Sequence, residues 1–477
     1  MAIEMDADAV FDLSPLQTSL QTSLELCQTP ASRTGDNATL PISQIHAELL
    51  SDIFIKFLED DHESPDYAAA GPLVSFHTRA DPTILGQVCS SWRNIALSTP
   101  ALWTNIFILE PKISQIFRTR LWLDRAGNNL LYIAIHGTGE SDPASLDEIL
   151  LNLAFRREFW RKVDIELPNF ALGALTGSIT KEPAEFRNLE SASLSIIGLN
   201  YHQPSHMTSI DAIWKAFHSS PVLRTVDWHD AYYFRLPTHI PWTQLTQLKL
   251  ESEFDVESLV DILSSCTRIR VLSISQLSLS SGTIQLEPIT LESLHTLTLD
   301  AAVKPGPLFE KLTLPSLQSL DLRHKYLDEH LISDFVSFQE FLIRSNCSLK
   351  TFALFDRNLK EDDLQAYISS SNLQNVTVLY LHVPISDKTI KSFIKQTDDE
   401  RHEIMPFLEE MSLAIRASSD GLLAQMVTSR WTDLEAHKSY KPLRMVLLHK
   451  AGDYGSEDKI GLSASFDSGL RGGFKFS

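Results

Sequence analysis

The chain has 477 residues, of which 43% are hydrophobic, 21% charged and 9% aromatic. Its formal net charge of -20 argues against a nucleic-acid partner, because phosphate backbones are bound by clustered cations. The apolar content argues against a globally disordered chain, and the length predicts either two units or one extended repeat array.

Cysteine usage and the terminal sequence suggest a compartment. The 4 cysteines lie far apart and form no CxxC pair, which predicts reduced thiols and no disulfide framework or zinc site. The acidic start MAIEMDADAVFDL lacks the basic and then apolar layout of a secretory signal. No apolar run approaches the about 18 residues that a membrane span needs. These features predict a soluble protein of the cytoplasm, the nucleus or both.

The first part of the chain predicts a disordered lead-in followed by helices. Residues 1–39 are rich in Ser, Thr, Gln and Asp, which is typical of disorder. A small helical domain is predicted over 40–108, with an acidic loop insertion at 59–81. From Pro41 to about Leu58, apolar residues recur at steps of three and four, the pattern of an amphipathic helix with a broad apolar face.

A second helix is predicted from Asp81-Pro82 to just before Ser98. Its apolar residues again fall on one stripe, which includes Trp92. Thr99 and Pro100 then predict a new short turn that directs Trp103 into the core of the domain. A domain this small has little interior in which to bury Trp92 alone, so we expect Trp92 to face a partner.

The pattern apolar-x-x-apolar-x-apolar occurs ten times between Leu189 and Leu448, and FWRKVDIEL is a degenerate earlier copy. Successive copies are 22 to 35 residues apart, and the shorter intervals match the leucine-rich-repeat period of about 20–29 residues. Helical patterns lie between the copies, so each unit is a strand and a helix that must stack on its neighbours.

This grammar predicts an α/β fold: a leucine-rich-repeat-like solenoid with a curved parallel sheet over 109–450, followed by a flexible tail over 451–477. A doubly wound α/β domain is the alternative. It is disfavoured because no glycine-rich phosphate loop follows any predicted strand.

Two segments of the helical domain resemble an F-box. The segments are IHAELLSDIF (45–54) and VCSSWRNIA (88–96). The continuation LSTPALWTNI and the later WLDRAGNNLLYIAI (122–135) are similar to the form common in F-box proteins of mushroom-forming, basidiomycete fungi. One departure is that the family's opening Leu-Pro falls on Ile45-His46, which removes a proline that presets the first helical turn.

The resemblance implies a non-enzymatic adaptor role without cofactor or metal. F-box domains dock on the Skp-type adaptor of a cullin–RING ubiquitin ligase, while C-terminal repeats hold a protein substrate. No nucleic-acid or membrane partner is implied. The adaptor-facing positions of the family fall on Ile45, Leu49, Leu50, Ile53, Leu85, Val88, Cys89, Trp92 and Ile95.

The repeat strands also predict a substrate surface. Residues between the apolar positions of each copy point to the opposite face of the sheet. This face is mixed and polar, and its two aromatic residues are candidate binding hot spots. The candidate substrate-binding residues are Asp227, His229, Lys249, Glu251, Asp300, Asp321, Arg323, Phe355, Tyr380 and His382.

No catalytic motif is present in the sequence. HExxH, G-x-S-x-G and Walker loops are absent, and His229-Asp230 fits a loop edge better than acid–base chemistry. Two functions stay open: a substrate receptor of a ubiquitin ligase, and a repeat scaffold that binds the adaptor or other partners without ubiquitin transfer. A plain repeat protein whose helical N-terminus only caps the solenoid is a third alternative.

Overall fold

The computed structural model describes most of the chain from residue 45 to residue 476. The predicted lead-in and residues 60–81 of the predicted insertion lie outside the described residues. Two compact units are present. The small unit comprises the chain up to Asn105 together with the separate segment Asp124–Asn129. The larger unit comprises Ile106–Leu123 and the chain from Leu130 onward. The described residues are 45–59, 82–180, 186–199, 203–229, 239–278, 287–301, 303, 305–324, 335–394, 404–431, 442–450 and 452–476.

The small unit contains the helices Ala47–Glu59, Leu85–Val88 and Ser90–Ser98. The last of these ends at Ser98 and is capped by Thr99, and Pro100 begins a short 3-10 turn that runs to Trp103. The Trp103 side chain is 1% exposed, and its indole N–H donates to the carbonyl oxygen of Ala96 at 2.9 Å. The core position of Trp103 and a helix break before Pro100 are therefore confirmed. The predicted single helix needs correction, because Cys89 has an extended backbone that divides it and Ser98 is still helical.

Among the described residues, the larger unit is built on one sheet of 14 strands whose spatial order follows the chain, with a separate two-stranded pair, β8 and β10. The strands are β1 (Asn105–Leu109), β2 (Leu131–His136), β3 (Trp160–Pro168), β4 (Ser191–Ile197), β5 (Thr225–Trp228), β6 (Gln247–Asp255), β7 (Val271–Ser278), β8 (Ile289–Thr290), β9 (Thr296–Ala301), β10 (Leu312–Thr313), β11 (Ser319–His324), β12 (Thr351–Phe355), β13 (Val378–Ile385), β14 (Glu410–Ile415), β15 (Met445–Lys450) and β16 (Arg471–Phe476).

Helices connect most successive strands, and from β2 onward the neighbouring strands of the large sheet pair in parallel. The predicted α/β class with a parallel sheet of strand–helix units is confirmed. The helices are Ile113–Ala126, Pro143–Ala154, Leu172–Thr180, Pro204–His218, Val256–Ser265, Gly306–Phe309, Phe335–Ser345, Glu361–Ile368, Asp387–Phe393, Leu422–Trp431 and Ser456–Asp467.

The repeated apolar positions of the sequence are aligned by the register of the sheet. The fourth positions of the ten copies lie directly opposite one another from β4 to β15, and each is at most 1% exposed. Each strand therefore adds one apolar side chain to a continuous buried row. Stacking in this way buries the apolar edge that a single strand–helix unit would leave exposed. The row is Ala192, Val226, Leu248, Leu272, Leu297, Leu320, Phe352, Leu379, Met411 and Val446.

Two predicted boundaries need correction. The sheet begins earlier than the predicted first copy at Trp160, because β1 and β2 precede it. The division between the units falls at Asn105 and Ile106, slightly before the predicted boundary at 108 and 109. The sequence missed β2 because its buried residues Leu131, Ile133 and Ile135 alternate without the leucine spacing of the later copies.

The predicted flexible tail is also wrong for most of its length, since the helix Ser456–Asp467 and β16 form one more repeat unit. Leu462 and Leu470 are buried, and the buried hydroxyl of Tyr454 donates to the carbonyl oxygen of Leu448 at 2.9 Å. Gly472 has φ +120°, and a Cβ there would lie 1.9 Å from the carbonyl oxygen of Val446. Gly472, one of the glycines that suggested a loose tail, thus permits close strand pairing.

Leu462→Ala tests this corrected C-terminal unit. Leu462 is 0% exposed, so truncation leaves a cavity and we expect a loss of about 2–5 kcal/mol in the free energy of unfolding of this part of the chain. Ile460→Ala is the matched control, because Ile460 lies on the same helix and is 72% exposed. Urea unfolding followed by circular dichroism measures both. Equal stability of the two variants would contradict the corrected assignment.

Candidate functional site

The polar face is the side of the large sheet that carries the residues between the buried apolar positions. All ten predicted substrate-binding residues belong to β5, β6, β9, β11, β12 and β13 or directly follow one of these strands. They form two groups, because Ser273 on β7 and Thr298 on β9 lie in register between Lys249 and Asp321. The two groups therefore have separate chemistry.

The ionic cluster consists of Asp227, His229, Lys249 and Glu251. His229 lies between two carboxylates, with Nε2 3.1 Å from Asp227 Oδ2 and Nδ1 2.7 Å from Glu251 Oε2. Lys249 Nζ is 2.5 Å from Glu251 Oε1 and 3.5 Å from Asp227 Oδ2. Register explains the convergence, since Asp227 on β5 lies directly opposite Lys249 on β6.

The cations of the ionic cluster are stabilised by their carboxylate neighbours. Burial opposes the charged form of His229, but hydrogen bonds and charge from Asp227 and Glu251 outweigh it and raise its pKa to about 10. The pKa of Lys249 is raised as well, because the same two carboxylates outweigh its burial. Burial opposes ionisation of Glu251, but His229 and Lys249 lower its pKa to about 2. At neutral pH two cations therefore balance two carboxylates.

The same cluster includes a candidate metal-binding set among the described residues. One donor atom from each of Asp227, His229 and Glu251 can be chosen so that the three lie within 4.8 Å of one another. Asp227 is buried, and the other two are half-buried. The sequence predicted no metal site, because these residues come from two strands and match no sequential ligand motif.

A second imidazole–carboxylate pair lies two strands away and was not among the sequence predictions. His136 Nε2 on β2 is 3.0 Å from Asp164 Oδ2 on β3. Burial opposes protonation of His136, but Asp164 outweighs it and raises the pKa of His136. The alternation of apolar residues along β2 is the signal that could have placed His136 on the polar face.

The stacked cluster consists of Arg323, Phe355 and His382, which lie opposite one another on β11, β12 and β13. The Arg323 guanidinium carbon is 4.9 Å from the ring centroid of Phe355. The rings of Phe355 and His382 are 4.6 Å apart and inclined by 24°. Asp321 fixes the guanidinium through a contact of 2.7 Å to Nη2, so the planar groups are held in one row.

His382 extends this row toward β15, where its ring is 5.7 Å from that of His449. Burial lowers the pKa of His382, and the nearby His449 and Arg323 lower it further. His382 is therefore neutral at physiological pH, which removes repulsion from Arg323 along the stack. His449 was missed in the sequence because its copy was recognised only by its apolar residues Leu443, Val446 and Leu448.

Two of the predicted substrate-binding residues offer little surface. Asp227 and Asp300 are 2% and 5% exposed, so their prediction as surface contacts is corrected. Longer neighbours account for this, since Asp227 contacts His229 and Lys249, and Asp300 lies opposite Arg323 in register. Tyr380 is half-buried in the row next to Ser412, and burial raises its pKa.

The helix Ala47–Glu59 of the small unit has two apolar stripes at four-residue spacing. Leu50, Phe54 and Leu58 are buried at 3%, 1% and 6% exposure. The exposed stripe consists of Leu49, Ile53 and Phe57, which are 58%, 49% and 42% exposed. A helix of a monomeric domain normally needs only the first stripe, so the exposed stripe is surplus to the core.

The other predicted adaptor-facing residues divide between surface and core. Leu50 and Leu85 are only 3% and 4% exposed, so their placement on the surface is corrected: Leu50 shares the inward stripe of its helix. Trp92 is half-buried against Phe54, with ring centroids 4.7 Å apart. Cys89 is exposed, whereas Ile45, Val88 and Ile95 are half-buried. The sequence-based set omitted Phe57 and Leu97, each 42% exposed.

The described cysteines Cys89, Cys266 and Cys347 form no disulfide. Burial raises the pKa of Cys266 to about 12, so this thiol stays protonated.

Among the described helices, none combines the length and apolar content needed to cross a membrane.

Comparison with known proteins gives little beyond this geometry. No family model matches the chain, and no curated protein matches it. A solved structure of a structural-genomics protein from Bacteroides fragilis is similar with a TM-score of 0.36 and 14% identity, over 59% of this chain and 76% of that one. A likeness this distant carries no argument about function.

The pKa of His229 predicts a pH-dependent stability. Because folding raises this pKa from 6.5 to about 10, the stabilisation from His229 is fully present below pH 6.5 and is lost as pH rises through 10. His229→Gln should therefore reduce the melting temperature most at pH 6 and least near pH 10. Thermal unfolding of both proteins across this range measures the difference. A difference that does not change with pH would contradict the proposed charge state.

Proposed function

We propose that this chain is the substrate-recognition subunit of a Skp–cullin–F-box ubiquitin ligase in the cytoplasm or nucleus. In this proposal the small unit is an F-box that docks the Skp-type adaptor, and the larger unit is a leucine-rich-repeat-like solenoid that binds a protein substrate. The protein itself performs no bond chemistry. It raises the effective concentration of a substrate lysine near the conjugating enzyme.

The observation that carries the proposal is the exposed stripe. Leu49 and Ile53 are exposed to solvent on a helix whose buried face is formed by Leu50, Phe54 and Leu58. Contiguous exposed apolar side chains favour a protein partner, because burying them removes apolar area from water at about 25 cal/mol per Å². Two of these residues coincide with the adaptor-facing positions implied by the F-box resemblance.

The polar face supports the second half of the proposal. Its stacked cluster presents a partly exposed arginine and aromatic rings held by neighbouring strands, and such rigid groups are typical of binding hot spots. Because the strands fix these side chains before binding, little side-chain entropy is lost when a substrate docks.

The alternative is a scaffold that binds the adaptor, or another partner, without ubiquitin transfer. The exposed stripe supports adaptor binding equally in both cases. Recovery of the cullin together with the adaptor separates the two, because a scaffold would recover the adaptor alone.

Charged residues in the exposed stripe should abolish adaptor binding. We expect Leu49→Asp with Ile53→Asp to lose co-purification of the adaptor and cullin, since each carboxylate would have to be desolvated in the interface. The matched control is Val336→Asp with Ile343→Asp, which are 67% and 61% exposed on the helix Phe335–Ser345 of the other unit. Retained adaptor binding by the first double variant would rule out the F-box assignment.

Removal of the central ring of the stacked cluster should weaken substrate binding alone. Phe355→Ala separates Arg323 from His382, so we expect fewer proteins to be recovered by proximity labelling with the proteasome blocked. Adaptor recovery should be unchanged. Ser273→Ala on β7 is the control, because it leaves both clusters intact. An unchanged set of labelled proteins for Phe355→Ala would place the substrate surface elsewhere.

A further inference from the structure

The ionic cluster contains a buried carboxylate oxygen that its ion pairs leave without a hydrogen bond. Asp227 is 2% exposed, yet its Oδ1 atom has no hydrogen-bond partner in the part of the chain that the structure describes. Buried carboxylate oxygens are nearly always satisfied, because an unpaired one costs desolvation energy. The other oxygen of this carboxylate faces His229 and Lys249, so the side chain is directed into the cluster.

The ammonium of Lys249 marks the place of a cation. Its Nζ atom lies between Glu251 Oε1, at 2.5 Å, and Asp227 Oδ2, at 3.5 Å. His229 Nε2 is 3.1 Å from the same Asp227 oxygen. The ammonium thus lies between two carboxylate oxygens, and one of these oxygens also contacts the imidazole. The lysine side chain is flexible and can withdraw from this place.

We propose that Asp227, His229 and Glu251 form a binding site for a divalent transition-metal ion such as Zn²⁺, which replaces the Lys249 ammonium. This goes beyond the proposed substrate-receptor role, which needs no metal. Aspartate, glutamate and histidine are all zinc ligands, with bonds of about 2.0–2.2 Å, and three protein ligands leave one position for water or a further group. Because one donor atom from each of the three residues lies within 4.8 Å of the other two, small side-chain movements would close the site.

The hydrogen bond that the imidazole already makes fits this role. Glu251 Oε2 accepts from His229 Nδ1–H at 2.7 Å, which leaves Nε2 for the metal while Glu251 Oε1 supplies a second ligand. Metal-bound histidines usually donate their other N–H to a carboxylate, which fixes the tautomer. When the ion binds, the Nε2 proton leaves to solvent and the ammonium moves away, so the ion's charge replaces theirs.

The donor set also indicates the class of ion. Mg²⁺ and Ca²⁺ prefer oxygen ligands only, and an imidazole in the set favours zinc or another first-row transition metal. We therefore expect Zn²⁺ to bind and Mg²⁺ not to compete with it.

Calorimetric titration of the full-length, chelator-treated protein with Zn²⁺ at pH 7.5 tests this site. One site should be seen in the unmodified protein. Lys249→Met removes the competing ammonium and keeps all three ligands, so it should bind Zn²⁺ more tightly. Lys459→Met is the matched control, since Lys459 pairs with Asp453 at 2.8 Å outside the cluster, and it should leave affinity unchanged.

Loss of a ligand gives the opposite result. His229→Gln and Glu251→Gln should each abolish the site, and circular dichroism confirms whether each variant is folded. If one does not fold, Co²⁺ absorption of Lys249→Met provides the second measurement, because a site with this donor set gives visible bands that an empty chain lacks. The proposal is overturned if Lys249→Met binds no more tightly than the unmodified protein, or if a folded ligand variant binds as well.

Discussion

The parallel register of the large sheet is the constraint on which the rest of this structure depends. Every strand from β4 to β15 in that sheet places its fourth-position apolar residue opposite those of its neighbours, and the resulting row is at most 1% exposed. A slip of one residue would move a whole strand's apolar set to the other face. Burial of the row therefore fixes the position of each polar side chain on the opposite face.

The fixed positions of the polar side chains form the candidate site. Because Asp227 and Lys249 lie in register, their charges meet, and the neighbouring His229 and Glu251 complete a set in which two cations balance two carboxylates. The same rule aligns Arg323 with Phe355 and His382. A chain of net charge -20 thus carries, on this face, one cluster that is internally neutral and one that is dominated by stacking.

The small unit depends on helix packing rather than on strand register. Its first helix carries two apolar stripes, and the core of the unit takes up only one of them. Leu49 and Leu50 are adjacent in sequence, yet they are 58% and 3% exposed because successive helical residues point in different directions. The unit therefore closes its own core around Phe54 and Trp103 and still leaves one apolar stripe exposed to solvent.

The sequence by itself determined the repeat unit, the strand and helix alternation, a helix break before Pro100 and the burial of Trp103. These depend on local spacing, which a sequence displays directly. It could not show that the glycine-rich C-terminus is a further repeat, since close pairing of Gly472 with Val446 is a contact between strands.

Only the tertiary structure decided which predicted residues act together. Lys249 and Glu251 come from one strand and Asp227 and His229 from the end of another, so their convergence depends on strand pairing rather than on spacing along the chain. Burial of Asp227 and Leu50 was equally hidden, because it depends on which neighbours cover each side chain. The apolar pattern specified the faces, and the three-dimensional register specified the chemistry on them.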